Sequence, residues 1–212
     1  MEKSGKNIVH RKKYACRRSG GGMESYMKNI LFLIIDMQNG FINQNTQGID
    51  ERILDFLEQI KGRAIVAGTR YVNNENTACY VFEGWKACME GTEEAEILPT
   101  LRGHMERVFD KDKYSCWNDE MKQFIRNNKI DKVYFAGVNT GCCVLHSAFD
   151  FYNDLADCSV IEDLCGSTSG IREHEAALIV LRSCITEERV VTAEQAAREI
   201  LGAAEADGRP AE

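Results

Sequence analysis

Three side chains of complementary chemistry, Asp36, Lys111 and Cys143, each fall at or just past the end of an apolar run. Asp36 follows Ile30–Ile35, Lys111 follows Arg107–Asp110, and Cys143 follows Val133–Val138 across the polar turn Asn139–Thr140–Gly141. A thiolate can attack a carbonyl, a carboxylate can take the thiol proton and return it to a leaving group, and an ammonium can hold both charges. Beyond the turn, Val144, Leu145, Ala148, Phe149, Tyr152 and Leu155 recur at helical spacing. Cys142 and Cys143 therefore stand where a strand passes into a helix, and the helix dipole is expected to lower a thiol pKa there. Other readings stay open on spacing alone. The cysteines also suit small core positions, Asp36 suits a turn cap, and Lys111 suits a solvated loop.

The three residues meet only if the runs that carry them lie side by side and point the same way. Ile30–Ile35 is continuously apolar, as a strand covered on both faces must be. Ile53, Leu54, Leu57 and Ile60 mark a helix closed by Gly62, and Ala64–Ala67 reads as the second strand. Arg107–Asp110 is the third, followed by a helix that Asn118 caps. Val133–Val138, Ser159–Asp163 and Val190–Val191 complete six strands, with helices around Ala176–Leu181 and from Ala193 onward. Alternating strands and helices predict an α/β fold, a three-layer αβα sandwich on a mainly parallel six-stranded sheet. Ligands of such folds sit at the carboxyl ends of the strands, where the three residues fall. Residues 74–106, with Tyr80, Phe82 and Trp85, are irregular and read as a binding loop or as surface packing.

Hydrophobic residues at 44% and charged residues at 28% suit a soluble globular chain. No apolar run approaches the roughly 20 residues of a membrane span. Nine cysteines, an odd number with no secretory signal before them, point to free thiols in a reducing cytoplasm. They form no CxxC pair and no Cys/His cluster at zinc spacing, and no phosphate-binding glycine motif occurs. Residues 1–22 carry net +6, which leaves −13 on the rest, and an acidic body argues against nucleic acid as a partner. The expected organisation is a disordered basic extension over residues 1–26, one domain over 27–205, and a loose tail over 206–212. Translation is expected to begin at Met23 or Met27, which would put residues 1–22 upstream of the native protein.

From about Ile30 to Gln195 the sequence resembles the isochorismatase-like cysteine hydrolases. Leu33–Phe41 is similar to their opening apolar-I-D-x-Q-x-x-F, Lys111–Trp117 to K-x-x-[YW]-S-A-F, and Gly137–Val144 to G-[VI]-x-T-x-x-C-V. Cys88–Thr92 and Glu173–Leu178 also look like family features, with His174 structural. The resemblance implies the isochorismatase-like hydrolase fold and the catalytic set Asp36, Lys111 and Cys143. It also implies a cis peptide between Val138 and Asn139, with the N–H groups of Asn139 and Cys143 as an oxyanion hole.

Departures narrow the activity. The metal-binding D-x-H of nicotinamidases aligns with Tyr71 and Asn73, and a further metal histidine with Ala87. Neither a metal nor any other cofactor is therefore expected. True isochorismatases commonly hold a non-nucleophile where this chain has Cys143, so the resemblance favours hydrolysis of a small amide, carbamoyl or ureide C–N bond. The alternatives are vinyl-ether hydrolysis, a nicotinamidase-like amidase, a non-enzymatic binding protein on the same fold, and a redox pair of Cys142 and Cys143. The expected pocket is lined by Phe41, Tyr71, Asn73, Trp85, Trp117 and Cys142. A small-molecule substrate, no membrane or nucleic-acid partner, and a homodimer or homotetramer complete the expectations.

Overall fold

The computed structural model describes residues 29–205, with side chains to residue 202. The expected basic extension and C-terminal tail lie outside these residues. Six parallel strands form one sheet, β1 (Asn29–Ile35), β2 (Ile65–Tyr71), β3 (Arg107–Lys111), β4 (Ile130–Val138), β5 (Cys158–Gly166) and β6 (Val190–Val191), in the order β3-β2-β1-β4-β5-β6.

Strand β1 lies inside the sheet and is apolar from Ile30 to Ile35 because both its faces are covered there. Ile30, Phe32 and Ile34 enter one core layer with Ile53 and Phe56 of α1 (Ile49–Ile60) and Ala196 and Ile200 of α7 (Ala193–Glu205). Leu31, Leu33 and Ile35 enter the other, with Ala148 and Phe151 of α5 (Leu145–Asn153) and Leu181 of α6 (Ile171–Ile185). The alternation is the two-residue period of a strand, and it builds the expected αβα sandwich. Helix α4 (Asp119–Asn127) starts at the expected cap, where the Asn118 side chain accepts the Met121 N–H at 2.9 Å.

Two expectations are corrected. Helix α1 begins at Ile49, a turn before the first periodic apolar residue, with Asp50 and Glu51 in its first turn, where the dipole favours acids. The irregular segment is not one open loop. It contains α2 (Ala78–Glu83), α3 (Pro99–Arg102) and a 3-10 turn at Glu93–Ala95. These pieces are four to six residues or shorter, too brief for a helical period to declare itself.

Strand order reverses between β1 and β4, because the chain moves outward from β1 through β2 to β3 and then crosses to β4. The carboxyl ends of two diverging strands leave a crevice at such a point. Asp36 follows β1 there, and the turn bearing Cys143 follows β4.

Candidate active site

Asp36 leaves β1 with φ 47°, in the left-handed region that aspartate tolerates better than most residues. Its N–H donates to Thr69 O at 3.2 Å, and the Thr69 hydroxyl donates to Asp36 Oδ1 at 2.7 Å. Thr69, buried on β2, thus fixes the carboxylate from behind. Asp36 Oδ2 meets Lys111 Nζ at 2.7 Å, an ion pair with both partners almost fully buried.

Lys111 ends β3, two strands away from β1. Strand spacing makes that roughly 10 Å, which a long lysine stem crosses and a short cation would not. Its Nζ passes 5.2 Å from the Tyr71 ring centroid and donates to Cys143 Sγ at 3.3 Å and Lys113 O at 3.0 Å. The three ammonium donors thereby have three partners. Burial opposes the Lys111 charge, but the charges of Asp36 and Cys143 overcome it and hold the pKa above its usual value.

Cys143 lies in a wide turn, Thr140–Val144, that continues into α5. The Asn139 carbonyl accepts from Cys142 N at 3.1 Å and Val144 N at 3.2 Å, while Asn139 Oδ1 accepts the Thr168 N–H at 2.8 Å. Thr140 Oγ1 pairs with His174 Nδ1 at 2.8 Å, so His174 supports the turn. The peptide between Val138 and Asn139 is cis. Gly137, at φ 110°, passes so close to β1 that a Cβ would fall 2.1 Å from Ile35 O.

The expected lowering of the thiol pKa is not found. Cys143 is held well above the usual cysteine value, first by burial and then by the Asp36 charge, with Lys111 offsetting part of the effect. Only 5% of Cys143 is exposed, and in the wide turn desolvation outweighs the pull of the helix dipole. Cys142 is also raised, to about 11, chiefly by burial.

Cys143 opens onto a cavity of about 430 Å³ that Phe41, Tyr71, Trp85 and Cys142 also line. The other two expected wall residues are elsewhere. Asn73 is buried behind the wall, donating to Trp85 O at 2.9 Å and Ala87 O at 3.0 Å and accepting from the Thr77 hydroxyl. Trp117 packs on Phe151 with ring centroids 4.1 Å apart and donates to Asp154, on the helical layer away from the cavity. Glu83, Tyr114, Cys79, Asn43, Thr168 and Ser169 line the cavity without having been expected there. Tyr114 could have been found from its place in the lysine motif. Glu83 carried no signal, since the helix that presents it was not legible.

The positions aligned with metal ligands do not fit a metal. The Asn73 carboxamide is already hydrogen-bonded at both ends, Ala87 has no donor atom, and burial raises the Tyr71 phenol pKa. Among the described residues no group of three or more His, Cys, Asp or Glu is placed to hold a metal ion.

A family model described as an isochorismatase domain matches residues 31–195. An isochorismatase-like hydrolase from Alkaliphilus metalliredigens superposes with TM-score 0.70 at 21% identity, over 81% of this chain and 98% of that one. A cysteine hydrolase from Pseudomonas syringae pv. phaseolicola gives 0.71 at 15% identity, over 82% and 93%. The nicotinamidase of Bacillus subtilis gives 0.67 at 21% identity, over 77% and 99%. No curated protein sequence matches the chain.

Proposed function

Because the chain belongs to the isochorismatase family, we propose that it is a cysteine hydrolase that cleaves a small amide, carbamoyl or ureide C–N bond through an acyl-enzyme on Cys143. The observation that carries this reading is the buried Asp36–Lys111 ion pair, 2.7 Å long, with Lys111 Nζ 3.3 Å from the sulfur at the cavity floor.

With a raised pKa, the resting sulfur is a thiol. Asp36 removes its proton as Sγ adds to the substrate carbonyl carbon, and the carbonyl electron pair moves onto oxygen. The N–H groups of Asn139 and Cys143 receive that oxyanion, a donor of this kind contributing about 3 kcal/mol in comparable sites. The intermediate collapses, the C–N bond breaks, and Asp36 passes its proton to the departing nitrogen. Water then enters, loses a proton to Asp36 and attacks the thioester, and the proton returns to the sulfur as acid product leaves. Lys111 keeps Asp36 placed and compensates negative charge at each stage. No step needs a metal.

A vinyl-ether hydrolase would need an acid but no sulfur nucleophile, and it leaves the placement of Cys143 against Lys111 unused. Ammonia release from a panel of small amides, carbamates and ureides tests the reading. Wild type is expected to turn over at least one member, and Cys143→Ala none, with an unchanged circular dichroism spectrum. Undiminished turnover by Cys143→Ala would refute it.

A further inference from the structure

The catalytic set handles only the reacting end of a substrate, and the cavity around it has a character of its own. Phe41 and Trp85 stack with centroids 5.7 Å apart and planes at 19°, and Tyr71 leans on Trp85 at 5.9 Å. Tyr114 closes another side, its hydroxyl donating to Glu83 Oε1 at 3.3 Å. Glu83 is the one charged side chain among the lining residues.

Local structure holds this arrangement. The Thr77 side chain caps α2 by accepting the Tyr80 N–H, and Gly84, at φ 67°, ends the helix by turning the chain between Glu83 and Trp85. Asn73 then grips the Trp85 carbonyl. Both Glu83 and Trp85 are thereby presented to one cavity.

We propose that the non-reacting part of the substrate carries a positive charge, and that Phe41, Trp85, Tyr114 and Glu83 form a seat for an organic ammonium group. Aromatic faces attract such cations through their quadrupoles, most strongly where water is partly excluded, and a carboxylate at the rim adds to the attraction. An anionic substrate would find no cationic side chain among the described residues that line this cavity. Lys111 is spent on Asp36, Cys143 and Lys113 O, so it offers nothing to a substrate carboxylate. Lys113 and His146 line a neighbouring cavity that shares Tyr71, Cys79 and Tyr114 with this one, and Asp112 lines it beside them. The anionic character reaches inward: after burial, Glu173 leads the charges that raise Cys142, and Glu83 is among them.

The inference rests on the hydrolase reading only for the amide end of the probe. Two isosteric amides separate charge from shape: trimethylammonioacetamide and 3,3-dimethylbutanamide. Calorimetric titration of the full-length Cys143→Ala protein should show the cation binding about five- to thirtyfold tighter. Glu83→Gln and Trp85→Leu in that background should each shrink the preference, and Glu83 is exposed enough for its variant to fold. Equal or tighter binding of the neutral amide, or no binding of either at millimolar concentration, would overturn the proposal. Selective binding with no wild-type turnover of this amide or of any panel member would fault the hydrolase reading and leave the ammonium seat standing. Equal kcat/KM for the two amides would fault the seat and leave the hydrolase standing.

Discussion

Cys143 faces Asp36 and Lys111 at once, and its proton is contested. Burial and the carboxylate favour the thiol, and the ammonium favours the thiolate. Because the first two prevail, alkylation of Cys143 by iodoacetamide, followed by peptide mapping, should rise about tenfold per pH unit and still be climbing at about pH 9. A plateau near neutral pH would contradict this. Asp36→Asn removes the carboxylate charge and leaves Lys111 against the sulfur. The alkylation profile should therefore move to lower pH, while turnover falls by about 10²–10⁴ for want of a base. Under the proposed mechanism, reactivity and catalysis separate in this variant, because a better resting thiolate is not a better catalyst without a group to carry the proton.

At the scale of elements, the site depends on how closely β4 passes β1. A Cβ on Gly137 would meet Ile35 O, a backbone atom that cannot swing aside, at a φ that other residues avoid. Gly137→Ala should therefore cost about 2–3 kcal/mol or prevent folding, as urea unfolding would show; an unchanged midpoint would contradict the packing described. Strand β1 was legible because covering both faces forces an unbroken apolar run, and Asn118 was legible because a cap sits at a fixed offset from the helix it starts. Helix α2 was not, since six residues hold fewer than two helical turns. Trp117 was misplaced for a different reason. Its position in a motif fixes its distance along the chain, whereas packing against Phe151 of α5 decides which way the ring faces.

For the molecule as a whole, the order of secondary structure announced a parallel sheet, and parallel strands put Asp36, Lys111 and Cys143 along one edge. The sheet order was beyond the sequence, because contacts between distant segments set it, and with it the two-strand reach of Lys111 and the buttress from Thr69. Among the described residues no helix is long and apolar enough to cross a membrane. On the sequence expectation that residues 1–26 lie outside the domain, a chain started at Met27 should match the full chain in Tm and turnover. A fall of several degrees in Tm, or a loss of most activity, would show that the preceding residues belong to the folded unit.

Rapid quenching of wild type with whichever panel amide it hydrolyses fastest, followed by intact-mass and peptide analysis, reads the chemistry at the sulfur. The account predicts an acyl group on the peptide carrying Cys143, formed and lost at rates compatible with turnover. Steady turnover in which Cys143 stays unmodified, and which persists in Cys143→Ala, would contradict it.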